Sequence, residues 1–163
     1  MNIAAQSSGT FNFFNSTSVD FTITVPPTTD LQINTNAGTI TVNGISGKMS
    51  LISNARTIDA TQAALTGNST FRTNAGSINF NGAIGSTGTY DFETNAGSID
   101  MTLTGTTNFQ VNATTDVGSI NSSFPLTVSH SSVGATVNGD VGTAPQATLT
   151  LKTNAGSINL NKG

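Results

Sequence analysis

Thr35-Asn36-Ala37-Gly38-Thr39-Ile40 decides the fold, because the chain keeps returning to it. Residues 73–78, 94–99 and 153–158 each read Thr-Asn-Ala-Gly-Ser-Ile. Weaker copies fill the gaps. Ser53-Asn54-Ala55-Arg56-Thr57-Ile58 keeps the frame with Arg56 in the glycine slot. Asp116-Val117-Gly118-Ser119-Ile120 and Val133-Gly134-Ala135-Thr136-Val137 keep only the second half. With Gly38, Arg56, Gly76, Gly97, Gly118, Gly134 and Gly156 as markers, the steps are 18, 20, 21, 21, 16 and 22 residues. A period of about 20 residues is the signature of a solenoid, in which each repeat buries its apolar side against its neighbours.

Working outward from the motif, the flanking residues alternate apolar and polar, the period of a strand with one buried face. The incoming strands carry Leu31/Ile33, Met49/Leu51, Phe71, Tyr90/Phe92, Phe109/Val111, Leu126/Val128 and Leu149/Leu151. The outgoing strands carry Ile40/Val42, Ile58/Ala60, Ile78/Phe80, Ile99/Met101/Leu103, Ile120, Val137 and Ile158/Leu160. Between them the Asn-Ala-Gly corner supplies residues that tolerate left-handed backbone. No segment has a helical apolar period. The expected fold is all-β, a single-stranded parallel β-helix of about seven coils. Strands ~4.8 Å apart would make it roughly 35 Å long, and parallel crossovers favour a right-handed winding.

Upstream of the first repeat, Phe11, Phe13 and Phe14 precede an Asn15-Ser16-Thr17 turn, and Val19, Phe21, Ile23 and Val25 then alternate with polar residues. This reads as an N-terminal β cap over the first coil, ended by Pro26-Pro27. Residues 1–10 are expected to fray. The division is therefore 1–30, cap and lead-in, and 31–163, β-helix repeats, within one domain. After residue 158 the chain runs out just past a corner, so the last coil is expected to be uncapped.

Composition narrows the function. Only 8% of the 163 residues are charged, the formal net charge is −3, and Thr, Asn, Ser and Gly make up about half of the chain. Five scattered basic residues give no electrostatic footprint for nucleic acid. The absence of cysteine excludes disulfides and thiolate metal sites. No apolar run of about 18 residues is present, so this segment itself is not expected to contact a membrane.

The pattern Gly-[Ser/Thr]-Ile-x-hydrophobic, followed by glycine-rich loops such as Asn43-Gly44-Ile45-Ser46-Gly47 and an alternating strand into the next corner, resembles the bacterial putative-adhesin domain family. Its relatives include autotransporter-adhesin-like head domains, and many members are domains of unknown function. The similarity runs from about Val25 to Leu160. It implies a β-helix on an exported protein, extracellular or at the cell surface, with the export signal or anchor outside this segment, and it carries no catalytic signature. Bactofilins, which polymerise end to end through a β-helix, are a weaker likeness; the N-terminal phenylalanine-rich segment departs from a two-ended polymer module.

The candidate sites are columns. Thr39, Thr57, Ser77, Ser98, Ser119 and Ser157 should stack on one face, with Thr41, Asp59, Asn79, Asp100, Asn121, Asn138 and Asn159 two residues on. Such a face suits a polysaccharide, but soluble, β-compatible surface with cross-strand hydrogen bonds explains it more cheaply. Across these two columns only Thr39-Ile40-Thr41 has the Thr-x-Thr spacing of an ice-binding face. Asn36, Asn54, Asn74, Asn95 and Asn154 read as a structural amide ladder. Asp91 and Glu93 share a strand face, with Arg72 expected one coil below Glu93; an ion pair on an open face accounts for them better than acid–base chemistry. His130, the chain's one histidine, has no neighbouring ligand type and reads as structural. Four Asn-x-Ser/Thr triplets, beginning at Asn15, Asn68, Asn112 and Asn121, are expected by chance at this composition.

No catalytic, cofactor-binding or metal residue is assigned, and no cofactor. The expected function is a non-enzymatic, adhesin-like structural module of a cell surface. Two alternatives stand beside it: a filament subunit joined through β-helix ends, and a carbohydrate-binding or carbohydrate-active β-helix. The expected partners are a second copy, met through the uncapped C-terminal coil or the N-terminal cap, and a surface polysaccharide or protein.

Overall fold

The computed structural model describes residues 2–4, 23–105 and 108–163. Among them the chain is strand and connection, with no helix. In chain order the strands are β1 (Asn2–Ala4), β2 (Leu31–Thr35), β3 (Ile40–Asn43), β4 (Ser46–Gly47), β5 (Met49–Ser53), β6 (Ile58–Leu65), β7 (Ser69–Ala75) and β8 (Ile78–Ile84). They continue as β9 (Thr87–Ala96), β10 (Ile99–Leu103), β11 (Phe109–Val117), β12 (Ile120–Ser122), β13 (Val128–His130), β14 (Ala135–Val141), β15 (Gln146–Ala155) and β16 (Ile158–Lys162).

Two sheets enclose the core. The incoming strands form a nine-stranded sheet in the order β1-β2-β5-β7-β9-β15-β11-β14-β13. The outgoing strands form a seven-stranded sheet in the order β12-β16-β10-β8-β6-β3, with β4 also on β6. From β2 to β11, and through the whole second sheet, neighbours are parallel. This is a β-solenoid-like architecture, as the repeat period requires. A bulge between Thr61 and Ala63, with Gln62 at φ 52°, bends β6 so that its second half meets β4.

The order of the strands departs from the order of the sequence at one place. β15 lies between β9 and β11, and β16 lies between β10 and β12. The last repeat of the chain is therefore inserted beneath the repeat that precedes it. The expected uncapped C-terminal coil is overturned: both strands of that coil are paired on both edges.

The isoleucines of the motif form one inward ladder, Ile40-Ile58-Ile78-Ile99-Ile158-Ile120, each 0–4% exposed. Facing them across the core are Leu51, Phe71, Phe92, Leu151 and Ala113 in register. Phe71 and Phe92 stack with centroids 4.5 Å apart, and Phe80 meets both edge-on. Burial of each such side chain contributes about 1.5–3 kcal/mol.

The threonine that opens the motif also points inward, and its hydroxyl has a fixed duty. Thr94 Oγ1 donates to the carbonyl of Gly76 at 2.8 Å, Thr153 Oγ1 to Gly97 at 2.9 Å and Thr115 Oγ1 to Gly156 at 2.8 Å. Thr73 serves the Arg56 carbonyl and Ser53 the Gly38 carbonyl, both at 2.9 Å. Each buried hydroxyl thus satisfies the corner carbonyl of the adjacent level, which would otherwise lack a partner. The corners themselves pack backbone on backbone. A Cβ at Gly97 would stand 2.1 Å from Gly76 O, and one at Gly156 would stand 2.0 Å from Gly97 O. Glycine is needed there for the close approach.

The repeat expected at 126–137 is not a further parallel level. β14 runs antiparallel on β11 and β13 antiparallel on β14, so this segment closes the end of the first sheet as a hairpin. Its marker step is the shortest, 16 residues, too few to go round and return. Instead the chain reverses at residues 131–134, where Ser131 N donates to Gly134 O at 2.9 Å and Gly134 N to Ser131 Oγ at 3.0 Å. Phe124 completes this end, packed edge-on to Phe109 at 5.5 Å. At the other end, Asn2–Ala4 pairs parallel to β2 where fraying was expected. The expected cap residues Phe11, Phe13, Phe14, Val19 and Phe21 lie outside the described residues.

Candidate functional site

The register of the seven-stranded sheet places Thr41, Asp59, Asn79, Asp100, Asn159 and Asn121 in one outward row. Their side chains bond from strand to strand. Asn79 Nδ2 donates to Asp59 Oδ1 at 2.5 Å, Asn159 Nδ2 to Asp100 Oδ1 at 2.6 Å and Asn121 Nδ2 to Asn159 Oδ1 at 2.9 Å. Asn138 does not join them, because it sits on β14 opposite Asn112 in the other sheet. The hydroxyl column runs alongside: Ser98 N donates to Ser77 Oγ, and the Ser119 and Ser157 hydroxyls meet, both at 3.3 Å. The result is a continuous face of amides and hydroxyls with alternating carboxylates.

At the corner, Asn54 Nδ2 donates to Asn36 Oδ1 at 3.2 Å and Asn154 Nδ2 to Asn95 Oδ1 at 3.3 Å, while Asn95 bonds Asn74. Asn154 meets Asn95 only because the last repeat is inserted. These bonds run along the stack on an exposed edge.

The charged group lies on the outer face of the nine-stranded sheet. Arg72 sits across from Glu93 in register, as expected, with Nη2 3.1 Å from Glu93 Oε2 and 3.2 Å from Asp91 Oδ2. Lys152 joins from the far side, Nζ 3.9 Å from Glu93 Oε1. The side chains are 30–52% exposed, so solvent screens them. Sequence reasoning missed Lys152, because its neighbour in space is 59 residues away in the chain.

His130 is exposed on the edge strand β13 and borders a shallow recess with Thr114, Asp116, Ser129, Ser131 and Thr136. A second recess, equally open, is lined by Asp30, Gln32, Lys48, Ser50, Asn68 and Thr70. Among the described residues no group of three or more His, Cys, Asp or Glu is placed to hold a metal ion, and no helix is long and apolar enough to cross a membrane. Tyr90 is a titratable group of the interior. It is fully buried, its hydroxyl donating to Thr87 O at 2.8 Å. Burial raises its pKa, and backbone hydrogen bonds from Gly85 and Gly67 offset part of the rise.

A family model described as Toastrack DUF4097 matches residues 7–161. No curated protein and no solved structure matches the chain.

Proposed function

We propose, from the premise that this chain belongs to the Toastrack DUF4097 family, that it is a non-enzymatic structural or adhesin-like module of a cell surface. The observation that carries the reading is the outer row of the seven-stranded sheet. There Asn79, Asn159 and Asn121 spend their amide donors on the neighbouring level. Such bonding stiffens a rod and keeps its surface polar with little net charge, which suits a spacer or presenting element outside a cell. Acid–base catalysis calls for tuned carboxyls in a site that excludes water. Here Asp91 and Glu93 face solvent and are engaged by Arg72 and Lys152. A right-handed winding of a single chain, the hand that parallel crossovers favour, completes the proposed architecture.

The test is antibody labelling of intact cells of the source, before and after mild external protease. Labelling without lysis, lost on protease treatment, is the expected result. Labelling only after lysis overturns the surface assignment. A second reading, a polysaccharide-binding face, is favoured by the same row, since the Asp59 and Asp100 carboxylates alternate with amides at the strand spacing of ~4.8 Å. Immobilised chain should then retain a soluble glycan that the double variant Asn79→Ala/Asn159→Ala does not. Equal retention by both removes that reading.

A further inference from the structure

β15 and β16 hang from β14 by four residues, Gly142, Thr143, Ala144 and Pro145. β14 and β15 flank β11 on its two sides, so this linker crosses the start of β11. The crossing is tight. Gly142 has φ 90°, and a Cβ on it would stand 2.5 Å from Asn108 Oδ1. Ala144 has φ 47°, a left-handed conformation that L side chains disfavour. Residues 142–144 are exposed, held by the bond from Asn108 Nδ2 to Thr143 O at 3.1 Å. Short, strained hinges ahead of a terminal element are where identical chains exchange that element.

The slot that receives the element is equally generic. The three identical Thr-Asn-Ala-Gly-Ser-Ile copies, 73–78, 94–99 and 153–158, are consecutive in the stack. The strand pair is gripped by backbone ladders on both sides, by Thr153 on the Gly97 carbonyl and by Gly156 against Gly97. None of these contacts depends on which chain supplies the strands.

We propose that the slot between β9/β10 and β11/β12 is an interaction surface, and that its partner is the β15–β16 strand pair of a second copy of this chain, exchanged reciprocally. The exchange remakes the same ladders and the same buried rows. What changes is the linker, which leaves its positive-φ turn and runs extended between the two bodies. A reciprocal exchange closes as a two-fold dimer.

The chain has no cysteine, which makes a direct test simple. Thr89 and Thr148 are register partners on the outer face of β9 and β15, at a parallel-strand separation of ~4.8 Å that a disulfide spans. Full-length Thr89→Cys and Thr148→Cys chains are mixed, unfolded in urea, refolded together and oxidised. The expected product is a covalent heterodimer joining position 89 of one chain to position 148 of the other, well above the homodimers each variant forms alone. Deleting Thr143 and Ala144 in both variants should raise its yield several-fold, because the shortened linker no longer reaches the chain's own slot. Cross-linking of the mixture no greater than that of the separate variants, with either linker, overturns the exchange.

Discussion

Ile78 is fully buried and touches register partners on both sides, Ile58 and Ile99. Neither neighbour can collapse into a vacated site, because each is fixed by its own strand. Ile78→Ala should therefore destabilise by about 2–5 kcal/mol in urea unfolding. Thr94 is a different kind of buried residue: its methyl packs, but its hydroxyl serves the Gly76 carbonyl. Thr94→Val keeps the shape and leaves that carbonyl bare, at a cost of about 1–3 kcal/mol, whereas Thr94→Ser should recover most of the loss. Tyr90, the chain's one tyrosine, makes stability depend on pH. Its folded pKa is raised above the ordinary value of 10.0, so the unfolded chain gives up the phenolic proton first. The stability from this group is complete below pH 10 and is lost as pH climbs through the folded value. Tyrosinate absorbance should thus appear together with loss of strand circular dichroism, and Tyr90→Phe should push the alkaline transition upward. Smooth ionisation of a folded chain near the ordinary value would refute this.

Corners and rows are the next scale. Gly97→Ala drives a Cβ into the Gly76 carbonyl and should cost about 1–3 kcal/mol or more, read from the thermal midpoint. Gly44→Ala is the contrast: at φ 68° with nothing within 4 Å, it meets backbone strain alone. The exposed row Arg72–Glu93–Lys152 is weaker. Lys152→Met should change stability by less than about 1 kcal/mol, and the difference should vanish in high salt. These elements also mark how far the sequence could be read. The isoleucine ladder, the corner glycines and the Arg72–Glu93 pair were legible because each depends on a local pattern or on repeats adjacent in both chain and stack. Lys152 beside Glu93 was not legible, since a repeat motif says which residues turn the corner and not at which level they stack. One clue did exist: the three identical motif copies turned out to be stack neighbours, while the worn copy at 116–120 lies outside them. The β13–β14 hairpin passes for a repeat in the sequence because Val133-Gly134-Ala135-Thr136-Val137 keeps the alternation. Ser131, three residues before its marker, matches Ser53 in type and spacing, but it is exposed where Ser53 is buried.

For the whole molecule, the inserted repeat breaks the rule that removing one end of a solenoid shortens it and leaves the rest intact. Residues 146–163 lie inside the stack, so deleting them opens the edges of β9 and β10 on one side and of β11 and β12 on the other. The truncated chain should lose cooperative unfolding, and amide exchange should rise in β9 and β11 as well as at the chain end. Loss of protection confined to one end of the rod would contradict this placement. The same topology sets a clock on synthesis. A ribosome delivers β11 to β14 before it delivers the two strands that belong beneath them. For that interval the emerging chain holds a rod whose final level has no seat, or one seated directly on β9 and β10 that must later give way. Only the arrival of Ile158 and Leu160 fills the row between Ile99 and Ile120. The molecule is thereby assembled like an arch, with a piece made later than its neighbours on both sides serving as the keystone, and a chain stopped before residue 146 is marked by its own inability to close.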